Sequence, residues 1–557
     1  MTVNIIGTLG VLFTLLVGVF GALQSTGTLK VHNMAVENLS GSFETPSKST
    51  SRLNMPEIPQ DESPSARIER LGRERPSAFP NLWMELFCLF GIVMSQFLTE
   101  FFVSGFTVIL PPLAQELNIP QASQVWPATA FSLVISSTLL IFGRLGDIWG
   151  GYPVFFAGLT WLLIWSLIAG FSSNPVMLNI CRAFQGLGAA AFLPTGVMII
   201  GSLYRPGPRK NLVLAIYGTA GVLGFFGGIA IAGLVGQFLH WSYYFWIGAA
   251  LAAITLTTAI CAMPYSTLAN DSRKKVKMDY LGAVCIVCGL VLTIFAITQS
   301  AHAPSGWKTP YVLVTFLLGI MFLAGTWYVE QNVVSDPLLP ASLFSVKSMT
   351  PLLIALLLLY GTWGIFSVNG SLFFQTVLSA SPLQVVVWYI PIGVVGLVVS
   401  VVEGYILHLV PGHVLMIISG LAAVGSQLLL ALMPPGGGSY WAWIFPSAIL
   451  STIGIDLSTI LMSVFITTVV PSSQQGLAGG VLNSVLQLGV ALVLGLTDII
   501  QSAVVKDKGL EKSYKATFWF GVGVAGASLI ILMIWARVPK AVSSLTADEI
   551  QEQAASS

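Results

Sequence analysis

A few charged side chains stand inside long apolar runs of this sequence, and those few can do chemistry. Arg182 lies several residues inside one such run, a costly place for a cation that faces lipid. A guanidinium keeps its charge at any relevant pH. It can therefore hold a nearby acid ionised when close and release that acid to take a proton when distant. Glu100, Glu403 and Asp456 are the acids that could answer it, each well inside an apolar run. A carboxylate at mid-membrane costs at least ~2.5 kcal/mol on insertion scales, less when protonated or paired. Glu100 is the most central by position and precedes Phe101 and Phe102, so it is read as a substrate or proton site. Its structural alternative is a buried Glu that stays protonated, and that of Arg182 is a snorkelling or purely packing Arg.

Asp498 lies nearer the end of its run, and His240, His302, His408 and His413 fall near run ends, where interfacial roles are expected. A short polar hinge, Gly143-Arg144-Leu145-Gly146-Asp147, separates two apolar runs. Asp147 there can accept hydrogen bonds from a neighbouring helix N-terminus or pair with Arg144, which would make a breakable latch.

Composition settles what must position these groups. Of 557 residues, 55% are hydrophobic and 8% charged, with a mean hydropathy of +0.84. Soluble domains carry about 25% charged residues. A chain this apolar is solvated by lipid and satisfies its backbone inside helices. Its runs are continuous and about 20 residues long, which favours helices over the alternating strands of a β-barrel. A net charge of +1 is uninformative about acidic partners, and no basic tract points to nucleic acid. The five cysteines all lie in apolar runs, and Cys285-x-x-Cys288 has no second pair or nearby His, so neither a metal site nor a disulfide framework is expected. No Walker loop is present, so direct use of ATP is not expected, nor is any cofactor.

Fourteen apolar runs from Met84 onward predict an all-α polytopic membrane protein. Breaks are expected at Pro111-Pro112, Ser173-Asn174-Pro175, Pro206-Gly207-Pro208, Ala303 to Gly306, Pro434 to Gly437 and Pro471-Ser472-Ser473, with a last charged loop from Lys506 to Lys515. Residues 1–83 read as an apolar segment followed by a disordered cytoplasmic tail rich in Ser, Pro, Glu and Arg. The apolar segment has no basic flank, and an extension absent from the mature protein is favoured over an extra helix or a signal. Residues 84–263 form an N-terminal six-helix bundle, 264–349 a charged loop and an inserted helix pair, 350–540 a C-terminal six-helix bundle, and 541–557 a tail. Lys and Arg in the alternate loops place the hinge and both ends in the cytoplasm, against the vote of the Lys506 to Lys515 loop alone.

Three motifs in order carry a resemblance. Gly143-Arg144-Leu145-Gly146-Asp147-Ile148-Trp149-Gly150 is similar to the loop between helices two and three of the major facilitator superfamily. Arg182-Ala183-Phe184-Gln185-Gly186 resembles its fourth-helix motif, and Gly218 to Gly236 stands where its antiporters carry a Gly- and Pro-rich fifth helix. With fourteen helices, the chain most resembles the fungal drug:proton antiporter-2 branch, of the aminotriazole-resistance type. Two departures stand out. Ile148, Gly151 and Tyr152 replace basic residues of the hinge, and Gly224 is followed by Phe225 rather than Pro.

The resemblance implies a multi-pass transporter and not an enzyme: two six-helix halves, each built of inverted repeats, around a central site. It implies export of a drug, toxin or secondary metabolite against protons, work as a monomer, and residence in the cell membrane or the vacuolar membrane. Members of the branch also move borate and ammonium, which is the first alternative. A non-transporting membrane sensor is the rival from another class, but the tails hold no folded domain to serve it. Gly143, Arg144, Gly146, Asp147 and Gly150 are then the cytoplasmic gate, with Gln185 and Gly186 supporting Arg182. Ala220, Gly224, Gly228, Ala232 and Gly236 recur every four residues, and with Gly221 and Gly227 they make a small face for close helix packing. Asn369, Phe373, Gln375, Trp388, Tyr389, Asn483 and Gln487 are the expected wall of the substrate cavity.

Overall fold

The computed structural model describes residues 75–536, except 77, 121–122, 205–207, 265–276, 335–336, 340, 407–408 and 471. The N-terminal apolar segment, both tails and most of the charged loop 264–278 lie outside the described residues. Among the described residues, fourteen helices are long and apolar enough to cross a membrane. They are α1 (Leu82–Glu116), α2 (Trp126–Trp149), α3 (Gly151–Ala169), α4 (Pro175–Leu203), α5 (Pro208–Phe238), α6 (Ser242–Ala262) and α7 (Tyr280–Ser300). The others are α8 (Pro310–Asn332), α9 (Met349–Thr376), α10 (Pro382–Ile406), α11 (Gly412–Leu432), α12 (Ile444–Val469), α13 (Ser472–Lys508) and α14 (Leu510–Trp535).

Local chemistry sets the helix ends. Asn81, Asn174 and Asp279 cap α1, α4 and α7, accepting from the backbone N–H groups of Met84, Met177 and Gly282 at 2.8, 2.9 and 2.7 Å. Such caps are worth ~1 kcal/mol each. Gly150 joins α2 to α3 at φ +96, a conformation that L side chains rarely adopt.

Two ends differ from the sequence expectation. The double proline does not stop α1, which runs on to Glu116. Pro112 only removes the N–H that would bond the Val108 carbonyl, and another helix supplies a donor there. The charged loop 506–515 shrinks to Gly509 at φ +80, because α13 and α14 extend beyond the apolar span and Lys515 pairs with Glu511 one turn away at 3.0 Å.

Packing follows one pattern twice. In the first half α1 packs on α5 and α6, α4 on α2 and α3, and α3 on α6. In the second half α9 packs on α13 and α14, α12 on α10 and α11, and α11 on α14. The halves meet through α2 against α13 and α5 against α10. α7 and α8 pack on each other, and α7 lies along the seam, touching both α2 and α13.

Gly224 and Gly228 of α5 sit against the backbone of α1 at Phe97 and Phe101, and a Cβ on Gly228 would stand 2.6 Å from the Phe101 carbonyl oxygen. That contact brings Ser104 within 2.7 Å of the Phe225 carbonyl, to which its hydroxyl donates.

Candidate functional site

The two halves bring their mid-helix acids together. Glu100 of α1 and Asp456 of α12 stand close enough for the charge of Asp456 to act on Glu100 and for both to act on Tyr360 of α9. Tyr217 of α5 also feels Glu100. The Tyr360 hydroxyl is 3.2 Å from Thr459 Oγ1, one turn beyond Asp456. Two glycines make room for the acids. A Cβ on Gly221 would stand 3.7 Å from Glu100 Cγ, and one on Gly396 would stand 3.1 Å from Asp456 Oδ2. Beyond them, Phe225 meets Trp363 with ring centroids 5.2 Å apart. The chemistry of the site is therefore two carboxyls from opposite halves, phenols beside them and an aromatic lid. Glu403 lies on α10, and its side chain is outside the described residues.

Thr452, Asp456, Thr459 and Ser463 make a polar stripe along α12 at helical spacing. That stripe was the available signal for Thr459. Tyr217 and Tyr360 left none, because a tyrosine in an apolar run reads as packing.

Arg182 is placed elsewhere. It is 1% exposed, and its guanidinium donates to the carbonyls of Pro127 (3.3 Å) and Phe102 (3.1 Å) and to Gln185 Oε1 (3.1 Å). The rings of Phe106 and Phe131 lie 4.2 and 4.4 Å from its central carbon, a stacking that offsets desolvation of the cation. Gln185 in turn donates to Ser166 at 2.9 Å. Arg182 thus ties α1, α2, α3 and α4 together, and it grips α1 two residues beyond Glu100. Among the described residues, no acid is one of its hydrogen-bond partners. Gly186 lets α4 approach α2, its position for a Cβ being 2.6 Å from the Phe131 carbonyl oxygen.

The expected stability effect follows from that inventory. Replacing Arg182 with Leu removes two charge-assisted bonds to buried carbonyls, each worth about 1.5 kcal/mol. Thermal unfolding in detergent should show a loss of about 3 kcal/mol in sum. An unchanged midpoint would remove Arg182 from the scaffold.

At the end opposite the hinge, α1 and α9 close the space between the halves. Gln375 Nε2 donates to the Val108 carbonyl at 3.1 Å, the same carbonyl that Pro112 leaves without a helical donor. Ser371 Oγ is 3.4 Å from Thr107 Oγ1 and 3.0 Å from the Tyr389 hydroxyl. At the hinge end, Gly218 of α5 and Gly476 and Gly479 of α13 have nothing within 4 Å of where a Cβ would stand. Asn483 and Gln487 lie on the stripe of α13 between Gly480, which meets Leu140 of α2, and Val490, which meets Gly364 of α9. Asn483 is exposed and Gln487 half-buried. The central space is shut at the end opposite the hinge.

Gln375→Ala removes one bond of about 1 kcal/mol from the shut end, which shifts an open–shut balance about fivefold. A cysteine at Thr107, in a chain lacking its native cysteines, should react that much faster with a membrane-impermeant thiol reagent. An unaltered rate would show that the bond does not hold the seal.

The remaining expected cavity residues sit within the second half. Asn369 is buried and bonds Thr497 and Gln501 at 3.3 and 2.6 Å. A five-residue π-helical stretch, Ile365–Asn369, places it against α13. Phe373 packs on Tyr514 and Phe518, and Trp388 stacks on Tyr440. In the hinge, Asp147 is exposed at the end of α2, while Arg144 donates to the Pro337 carbonyl at 3.3 Å in the segment between α8 and α9. Gly146 packs on Thr195 and Met198, and Gly143 on Pro194, all of α4.

Two packed halves of six helices with a seam of paired helices between them are the architecture of a membrane transporter. The chain belongs to the major facilitator superfamily, whose family model matches residues 92–494. It is 30% identical to the low affinity ammonium transporter of Saccharomyces cerevisiae, over 83% of this chain and 90% of that protein. It is also 30% identical to the efflux pump terJ of Aspergillus terreus (84% and 90% covered) and to the aminotriazole resistance protein of Saccharomyces cerevisiae (82% and 85% covered). Among solved structures it shares the fold of a peptide transporter of the POT type, with a TM-score of 0.60 at 14% identity, covering 85% of this chain and 99% of that one. The protein is a multi-pass membrane transporter, and its relatives are transporters rather than enzymes.

Proposed function

We propose that the protein exports a small organic compound in exchange for protons, and that Glu100 and Asp456 are the groups that carry the protons. One observation supports this above the others: each half contributes a carboxyl to the same central point, so rocking of the halves changes how strongly the two repel. A lone buried carboxylate is costly, and two facing each other more so, which makes proton uptake and cation uptake alternative ways to relieve the same repulsion. That competition is the linkage an antiporter needs. The phenols and the Phe225–Trp363 lid suit a compound with an aromatic or cationic part. Arg182 acts by positioning α1, and Arg144 by coupling the hinge to the segment that leads into the second half. Relatives named as an efflux pump and an aminotriazole resistance protein agree with export.

A second reading has its own support. Two carboxyls can hold a small cation, and one relative is named as an ammonium transporter, so a small cation is the alternative cargo. A yeast host lacking its own exporters separates the two. Expression should protect against a panel of basic and azole compounds, aminotriazole included, and lower their accumulation. Altered methylammonium tolerance with no protection across the panel would favour the small-cation reading. Raised accumulation of the compounds would overturn export.

A further inference from the structure

Among the described residues, the half of the bundle away from the hinge holds a buried ionisable pair that the central site does not use. Asp498 of α13 is 2% exposed, and His302 follows the end of α7 with Nε2 3.8 Å from its Oδ2. That distance is too long for a hydrogen bond, and both atoms are buried without a hydrogen-bond partner. The neighbouring amides are already committed, Gln501 donating to Asn369 and Asn369 to Thr497. Among the described residues, His302 is the group placed to answer Oδ2 of Asp498.

The surrounding helices bring no competing charge to this place. Arg144 and Asp147 of α2 and Glu330 of α8 stand at the hinge end, and α9 has no charged residue. Arg182 of α4 and Asp456 of α12 belong to the sites described above. On α14, Glu511 and Lys515 pair with each other at 3.0 Å beside Lys512. Lys308, Lys506, Asp507 and Lys508 are exposed.

A buried carboxylate without donors is expensive, and one proton removes the cost in either of two places. It can neutralise Asp498, or it can charge His302, whose position at a helix C-terminus favours a cation. With that proton present the pair can close to a hydrogen bond; without it, Asp498 is a lone anion and the gap stays open. We propose that His302 and Asp498 form a second proton-binding site, separate from the central acids, whose occupancy fastens the end of α7 to α13. The inserted helix pair would then be clamped to the second half when that side of the membrane is acidic.

The test uses the full-length protein in lipid nanodiscs and needs no substrate. Infrared difference spectra between roughly pH 5 and 8 should contain a carboxyl component that Asp498→Asn abolishes, His302→Gln moves along the pH axis, and Glu100→Gln retains. Amide hydrogen exchange over residues 297–303 should slow on acidification in the wild type and lose that step in both pair variants. Spectra of Asp498→Asn that superimpose on the wild type would overturn the site. Exchange in the wild type that ignores pH would overturn the clamp. Should Asp498→Asn fail to fold, His302→Gln still decides, since it must lose the exchange step.

Discussion

Glu100→Gln is expected to leave the protein folded and able to exchange substrate across the membrane, while net transport stops responding to a pH gradient. The amide keeps the shape of the acid beside Gly221 and Tyr217 but cannot take up or release a proton. The charge of Asp456 then no longer acts on an ionisable group at position 100. Gradient-driven flux should fall by about tenfold or more, the equivalent of 1.4 kcal/mol or more of lost coupling, with counterflow changed little. Asp456→Asn should behave in the same way, and the double variant should be no worse than the stronger single one if both act on one proton step. Full pH dependence in both single variants would move the coupling acid elsewhere, with Glu403 next.

Gly228→Leu is expected to cost the fold itself. A Cβ there already stands 2.6 Å from the Phe101 carbonyl oxygen and 2.6 Å from Ser104 Oγ, both on α1. The helices would have to separate, giving up the Ser104 bond to Phe225 and straining the seat of Glu100. Overpacking of this kind costs about 3 kcal/mol or more. Detergent-solubilised yield and thermal midpoint should both drop. Gly218→Ala is the matched control, ten residues earlier on α5 with nothing within 4 Å. It should be neutral or slightly stabilising, since Ala favours a helix over Gly by up to ~1 kcal/mol. Equal behaviour of the two variants would show that the α1–α5 contact does not carry the fold.

The fold was legible because lipid leaves so few choices. Continuous apolar runs with proline, glycine and charged breaks locate membrane helices almost by counting. The two misplaced ends share a cause: a break signal acts only when no other group compensates it. Gln375 compensates at Pro112, and water and an i,i+4 ion pair do so for the extended ends of α13 and α14. The site was legible only in part. Rarity exposed Glu100, Asp456 and Arg182, since any charge inside an apolar run stands out. Which acid faces which was not readable, because that depends on how the two halves meet.

Arg182 illustrates the limit. Its burial could be read from position, but its partners are carbonyls and rings on other helices, and carbonyls are present at every residue. Asn369 and Gln375 were alike as isolated amides in an apolar run. The π-helical turn in α9 sends one to α13 and leaves the other facing α1.

Proton movement tied to substrate movement tests the central claim most directly. Purified protein is reconstituted in vesicles loaded with a pH-sensitive dye, and the compound most strongly excluded in the growth panel is added outside with no pH gradient imposed. The account predicts a substrate-dependent pH change inside the vesicles for the wild type, and none for the Glu100→Gln, Asp456→Asn double variant, although that variant still exchanges labelled compound. An undiminished pH change in the double variant would contradict it.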